Sequence, residues 1–516
     1  MTATSSQIDA AWQLLPGYLG QHVVLSASAL ALGVGIGLGL AVVAARRPRV
    51  RWPVLAAASL IQTVPGLALL ALFYPLLLAL SAITKPLLGV SLPALGFVPS
   101  LLALTLYSIL PIVRNGVAGL TGVDPAITEA ADGLGMTPVQ KLIRIEAPLA
   151  APVAMAGVRT AAVWTIGAAT LSTPVGQTSL GDYIFAGLQT ENWVFVLFGC
   201  GAAAGLALVV DQLLGLIEQG LARRDGRRIG IGAVGILAGI ALAILPLLGT
   251  SRPAYTIGAK NFSEQFILAE VMKDRLHAAG ATVKSGLGSA IAFRALASGD
   301  IDVYVDYSGT LWANVLKRTD TPAPDVLLAA LTHEMKARYG VTVLGSLGFE
   351  NAYALAMKGD KARALGVATL DDMTAKAPDL ALGSDLEFLS RPEWAALKGA
   401  YGLNFRGQKS YNPTFMYQAL RSGEADVISA FSSDGRIAGD HLVVLTDTRH
   451  AAPSYDAVIL VSPRRAHDAR LLAALKPLLG AIPVARMQAA NLLVDRDTDK
   501  QTPAAAAHIL EAGLPH

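Results

Sequence analysis

Residues able to do covalent chemistry are sparse in this chain, and none stands at a catalytic spacing. No G-x-x-x-x-G-K-S/T loop that would cradle a nucleotide's phosphates occurs anywhere in the 516 residues. A G-x-S-x-G elbow, an H-E-x-x-H zinc helix and paired cysteines are missing as well. The pair His333-Glu334 lacks a second histidine and falls on an expected solvated helix face. Cys200 is the single cysteine and lies in an apolar run, so no intrachain disulfide is possible; it reads as a small packing residue. The chain is therefore expected to have no catalytic residue, no metal and no cofactor of its own. Two charges, Arg159 and Asp211, stand close to apolar segments. Ionisable groups there are costly, so both are functional candidates, alongside packing or interfacial roles.

The elements that would position any chemistry divide unevenly. Hydrophobic residues make up 53% and charged residues 15% of the chain, beyond the soluble norm. Residues 1–250 carry only 13 Lys+Arg and 10 Asp+Glu, whereas residues 251–516 carry 28 of each. The first half reads as membrane and the second as a nearly neutral soluble globule. That neutrality argues against a nucleic-acid partner, which requires a basic face. Apolar stretches of spanning length fall at about 22–45, 54–80, 97–120, 147–172, 193–217 and 229–248. The second contains Gln62-Thr63-Val64-Pro65-Gly66, which predicts a kink whose freed carbonyls must be satisfied by neighbouring helices. No cleavable leader is expected, because the first apolar run lacks a basic start and exceeds signal length.

Basic residues set the expected orientation. Arg46, Arg47, Arg49 and Arg51 follow the first stretch, Arg114, Lys141 and Arg144 flank the third and fourth, and Arg223, Arg224, Arg227 and Arg228 follow the fifth. The alternate connections hold only Lys85. The positive-inside rule then places the N-terminus outside, the segment around Glu129 in the cytosol and residues beyond 250 outside. The expectation is a multi-pass protein of a bacterial-type inner (cytoplasmic) membrane with an extracytoplasmic C-terminal half.

The cytosolic segment is a firm element by its own chemistry. Asp124-Pro125 offers a helix start, since Asp caps and Pro tolerates the first turn. Residues 127–134 then suit a short helix, Gly133 and Gly135 permit a sharp turn, and Pro138 reopens a second helix through Glu146. The spacing of Glu129-Ala130-Ala131, Gly135, Ile145 and Pro148 resembles the coupling loop of ABC-importer permeases. In that family the loop docks into a separate ATPase subunit, and two copies of the permease form the pore. Gln62-Thr63-Val64-Pro65, Leu110-Pro111-Ile112-Val113-Arg114-Asn115 and Gly157-Val158-Arg159-Thr160 extend the resemblance to the osmoprotectant-importing branch. It implies a helical permease domain over 1–220 with its coupling loop at 124–148. Residues 221–253 form a sixth span and tether, and a soluble domain covers 254–516.

In the soluble half the pattern changes to short strands alternating with amphipathic helices. Strands are expected at 255–258, 301–305, 341–344 and 425–428, and helices at 263–278 and 326–339. This predicts an α/β fold of two lobes around a ligand cleft. Six segments in order resemble the quaternary-ammonium branch of bilobed type II substrate-binding proteins. They begin at Gly258-Ala259-Lys260-Asn261-Phe262-Ser263-Glu264-Gln265, Asp306-Tyr307-Ser308-Gly309-Thr310 and Asn351-Ala352-Tyr353. Glu387-Phe388-Leu389-Ser390-Arg391-Pro392, Ser433-Asp434-Gly435-Arg436 and Pro453-Ser454-Tyr455-Asp456 complete the set.

A quaternary ammonium carries full charge but no hydrogen to donate, so aromatic faces recognise it better than hydrogen-bond acceptors. The resemblance places such a cage at Tyr307, Tyr353, Phe431 and Tyr455, with phenylalanine where the family commonly has tyrosine at 431. It places carboxylate anchors at Lys260, Thr310 and Arg391. Cage and cationic anchor together favour glycine betaine or a related osmoprotectant over choline, which has no carboxylate. Ergothioneine, which pairs the same head with a carboxylate, or a cationic amino acid are alternative cargoes. A ligand-sensing membrane receptor is the remaining alternative. Trp312, Tyr304, Tyr411 and Tyr417 are expected in the core, and Asp306 and Asn351 as supports of the cage rather than ligand contacts.

Overall fold

A computed structural model describes residues 2–88, 92–190, 192–248, 254–276, 280–318, 320, 322–411, 413–449, 451–496 and 498–515. Two compact units emerge, one of Ala11–Phe185 with Phe195–Thr250, the other of Ser251–His516 with the short segments Met1–Ala10 and Ala186–Val194. The end of the expected tether, 249–253, and the end of the expected helix at 277–278 lie outside the described residues.

Among the described residues, six helices are long and apolar enough to cross a membrane: Gln7–Arg46, Gly66–Thr84, Phe97–Thr121, Pro138–Val175, Trp193–Arg223 and Gly226–Leu247. The first begins well before the expected residue 22, because the polar start of the chain is helical from Thr2 onward. The second expected stretch is broken where its proline requires it, into helices Pro48–Thr63 and Gly66–Leu88. The freed carbonyl of Val64 accepts a hydrogen bond from the Tyr107 hydroxyl, so a neighbouring helix satisfies it. Helices Phe97–Thr121 and Ala147–Ala169 approach through small residues. A Cβ at Gly157 would stand 2.6 Å from the carbonyl oxygen of Pro111, so glycine permits the contact. Arg159 is bidentate to Asp211 at 3.0 and 2.8 Å and reaches Glu218 at 2.6 Å, so the two membrane-proximal charges flagged in the sequence form one ion cluster. Cys200 is exposed on its helix, which corrects its reading as a packing residue.

Among the described residues the second unit holds ten strands: β1 Tyr255–Lys260, β2 Ala281–Leu287, β3 Val303–Tyr307, β4 Thr342–Glu350, β5 Tyr353–Lys358, β6 Ala381–Ser384, β7 Gly407–Ser410, β8 Val427–Phe431, β9 Leu442–Val444 and β10 Asp456–Val461. They form two five-stranded sheets, ordered β2-β1-β3-β10-β4 and β7-β6-β8-β5-β9. Each is mainly parallel at one side and antiparallel at the other, with β10 reversed against β3 and β4, and β5 reversed against β8 and β9. The chain passes between the sheets twice, after β4 and after β9. The two crossings, at residues 351–352 and 445–455, make this the predicted bilobed α/β fold. Expected and observed strand ends differ most at β8, which runs over 427–431 rather than 425–428, and at β4, which continues to Glu350. Val427, Ile428 and Ala430 are fully buried in β8, which hides the usual alternation.

Candidate functional site

The carboxyl ends of β1, β3, β6 and β8 and both sheet crossings converge on one cavity of about 160 Å³. Ligands of open α/β sheets bind beyond strand carboxyl ends, and the topology places side chains there from distant parts of the sequence. All seven ligand-binding residues expected from the sequence line it: Lys260 ends β1, Tyr307 ends β3, Thr310 follows it, Tyr353 starts β5, Arg391 follows β6, Phe431 ends β8 and Tyr455 precedes β10.

Register explains part of this grouping. Tyr353 and Phe431 are directly paired across β5 and β8, and their ring centres are 4.7 Å apart. Tyr455 meets the Tyr353 ring edge-on at 5.7 Å. Phe262, which the sequence reading left without a role, closes the ring set: it stacks on Phe431 at 6.2 Å with planes 5° apart and on Tyr307 at 6.2 Å. Burial pushes the phenols of Tyr307, Tyr353 and Tyr455 well above their usual range, so all three present neutral aromatic faces.

The cationic residues are already engaged. Lys260 is buried and its Nζ bonds Asp306, which also accepts from the Tyr304 hydroxyl at 2.5 Å. The pair lies inside the domain, so the expected anchor meets the cavity with its charge already partnered. Lys260 Nζ also lies 5.1 Å from the ring centre of Tyr307. Arg391 is buried; it donates to Glu387 at 3.0 Å and approaches Glu393 at 3.4 Å. Glu393 in turn accepts from the Tyr455 hydroxyl.

Several lining residues were missed by the sequence reading because their partners are remote. Glu264 is 3% exposed and accepts from Tyr307 at 2.5 Å, Asn351 at 3.1 Å and Asn491 at 3.1 Å. Asn351 thus supports the ring set through Glu264, as a second line behind Tyr307. Burial raises the Glu264 pKa against these bonds. Asp434 and Arg436 form a bidentate pair at 3.1 and 2.8 Å beside Asp495. Trp312, Tyr304 and Tyr417 are buried in the domain, as expected of core residues. Tyr411 is partly buried, with Lys409 Nζ 4.9 Å from its ring centre.

The segment at 124–148 has the expected hard geometry. Asp124 accepts from Ala126 N at 2.9 Å and starts helix Pro125–Gly133. Gly135 turns the chain at φ 73°, and a reciprocal cap between Thr137 and Gln140 opens the next helix at Pro138. Lys141 bonds Asp132 at 2.7 Å across the turn, and Arg46 bonds Glu146. Ala131 is buried beneath, while Glu129, Ala130, Gly135 and Pro148 are exposed. Leu134, Val139 and Ile143 are 78, 64 and 63% exposed, an apolar surface on a rigid turn.

Residues 253–512 match the family of the substrate-binding domain of ABC-type glycine betaine transport systems, and residues 33–223 match the inner-membrane component of binding-protein-dependent transport systems. An ergothioneine transport permease/ergothioneine binding protein of Helicobacter pylori is 27% identical, over 81% of this chain and 76% of its own length. The choline transport system permease protein of Bacillus subtilis is 37% identical, over 39% of this chain and 85% of its own. Among solved structures, a glycine betaine/carnitine/choline ABC transporter chain is 28% identical and covers 50% of this chain and 97% of that one, with a TM-score of 0.44.

Proposed function

From the premise that the chain belongs to the substrate-binding family of ABC-type glycine betaine transport systems, with a transport-system inner-membrane component ahead of it, we propose that it imports a trimethylammonium zwitterion such as glycine betaine. One observation carries the reading: Tyr307, Tyr353, Phe431 and Tyr455 surround the same cavity as Arg391, Lys260 and Thr310. Each aromatic face contributes roughly 0.5–2 kcal/mol to holding a cation, and several faces add up to a useful affinity. The guanidinium fork suits a carboxylate bidentately, whereas the ammonium of Lys260 adds a point charge. In this reading the C-terminal half works on the extracytoplasmic side, two copies form the pore, and each docks a separate ATPase at Glu129, Ala130, Ala131, Gly135 and Pro148. Ligand closes the two lobes, and ATP hydrolysis in the partner drives the membrane half. The domain division at 220, 253 and 254 belongs to the same proposal.

Ergothioneine is the second reading, favoured by the Helicobacter relative, whose similarity runs across both halves of this chain. Its trimethylammonium and carboxylate groups meet the same cavity residues. Calorimetric titration of the purified full chain with glycine betaine, choline, carnitine and ergothioneine separates the two, with Tyr353→Ala as control. Binding of glycine betaine that the variant loses supports the first reading; binding of ergothioneine alone selects the second. If no quaternary amine binds, the cage assignment is wrong.

A further inference from the structure

Recognition by aromatic faces alone leaves a question of charge. The cavity walls contain a buried carboxyl group, Glu264, that accepts from neutral groups: the Tyr307 hydroxyl at 2.5 Å, the amides of Asn351 and Asn491 at 3.1 Å each, and the Ser433 side chain. Two cations that line the same cavity are paired with other carboxylates, Lys260 with Asp306 and Arg436 with Asp434. Glu393 behind Tyr455 is different, because Arg391 lies 3.4 Å from its other oxygen and shares its charge. Glu264 thus accepts at both carboxylate oxygens from neutral donors, with no counter-ion among the described residues, and in its ionised form it places a negative charge inside the domain. Burying such a charge is costly unless something of opposite sign comes to it.

We infer that Glu264 is a specificity-determining residue that selects cationic over neutral ligands, acting from behind the cage through Tyr307. This rests on the cage reading proposed above. A phenol that donates a charge-assisted hydrogen bond to a carboxylate keeps a more electron-rich oxygen and hence a more negative ring face. The attraction of that face for a cation rises accordingly, while its dispersion contact with an uncharged group of the same shape does not. Buried to 3% exposure, the ionised carboxylate of Glu264 is also screened weakly, so it acts across the width of the ring. Its hydrogen bonds hold both carboxylate oxygens in place, so in this proposal Glu264 acts through the Tyr307 ring as a positioning residue.

The test compares a cation with its carbon twin. Glycine betaine and tert-butylacetate have the same shape and the same carboxylate, and differ by the positive charge. The full chain in lipid nanodiscs is titrated with both, and with choline and its carbon analogue, by calorimetry. Glu264→Gln should weaken glycine betaine binding about ten-fold while tert-butylacetate changes by less than about two-fold. Tyr307→Phe removes only the hydroxyl and guards against misfolding of the first variant. It should cause the same loss of selectivity, and the double variant should lose little more. Equal weakening of both ligands would mean a structural role, and unchanged selectivity would overturn the inference with the cage intact. If the wild type binds neither cation, the cage reading itself is what fails.

Discussion

The guanidinium of Arg391 lies 4.9 Å from the ring centre of Tyr353 and donates from Nη2 to Thr310 Oγ1 at 3.3 Å. Arg391 follows a strand of one sheet and Thr310 a strand of the other, so a single side chain joins a cage ring, an anchor hydroxyl and both lobes. Arg391→Lys keeps the charge but loses the fork and the stacking on Tyr353. Loss of hydrogen bonds to a charged group costs roughly 1.5–3 kcal/mol. Glycine betaine should therefore bind about ten-fold or more weakly to this variant in calorimetry, whereas choline, without a carboxylate, should be affected less. Equal losses for the two would remove Arg391 from the carboxylate role.

Gly309 sits between two ligand positions and touches a third. A Cβ there would stand 2.7 Å from Ser454 O and 2.9 Å from the Tyr455 ring. Neither can retreat freely, since the Tyr455 hydroxyl is held by Glu393 and Asn351 N donates to Tyr455 O at 2.9 Å. Gly309→Ala is expected to displace Tyr455 and to weaken quaternary-ammonium binding several-fold, with the helical content by circular dichroism unchanged. Wild-type affinity in this variant would show that the Tyr455 position is soft.

The architecture was legible in the sequence because membrane spans and alternating α/β elements leave strong local patterns. The break at Val64-Pro65, the cap at Asp124 and the turn at Gly135 could be read from single residues. The ring positions were legible only as segments in order, since each tyrosine alone looks like any core aromatic. Phe262 escaped although its segment was recognised: its role depends on Phe431, brought beside it by the return of β8. Glu264 escaped for the same reason, with Asn491 arriving from a helix near the C-terminus. Lys260 reads as a free anchor because Asp306 is 46 residues further along the chain, on the strand that the fold sets beside β1, and gives no local sign of pairing. Long-range side-chain chemistry has no period to read.

On the membrane side, the turn at 124–148 presents Leu134, Val139 and Ile143 to solvent on a frame fixed by caps and the Lys141–Asp132 pair. Leu134→Asp places a charge on that apolar surface without touching the cleft. It should leave glycine betaine affinity unchanged and abolish most ATP-driven uptake into vesicles that contain the ATPase partner. Gly135→Ala should have a milder effect in the same direction, because φ 73° costs a non-glycine residue about 1–2 kcal/mol. Uptake that survives Leu134→Asp would separate this surface from the ATPase.

Asp495 gives the binding unit a pH dependence whose sign can be worked out. Burial lifts its pKa to about 6, with Asp434 adding to the rise and Arg436, Ser263 and Lys500 opposing it. The unfolded chain returns the group to the ordinary carboxylate range near 4. Between these values the native state holds a proton that the unfolded state releases, so this group's contribution to stability grows as pH falls through about 6 and is lost as pH rises through it. Asp434 is shifted the opposite way, below its ordinary value, so its own loss of stability begins only in more acid solution. Thermal unfolding of the full chain should therefore show a melting temperature that rises from about pH 7.5 to about pH 5 more steeply in the wild type than in Asp495→Asn. Asparagine keeps the size and can still accept from Ser263, so the variant should match or exceed the wild type at the alkaline end. A wild-type profile that falls over this range in parallel with the variant would mean that Asp495 titrates in its ordinary range inside the folded domain.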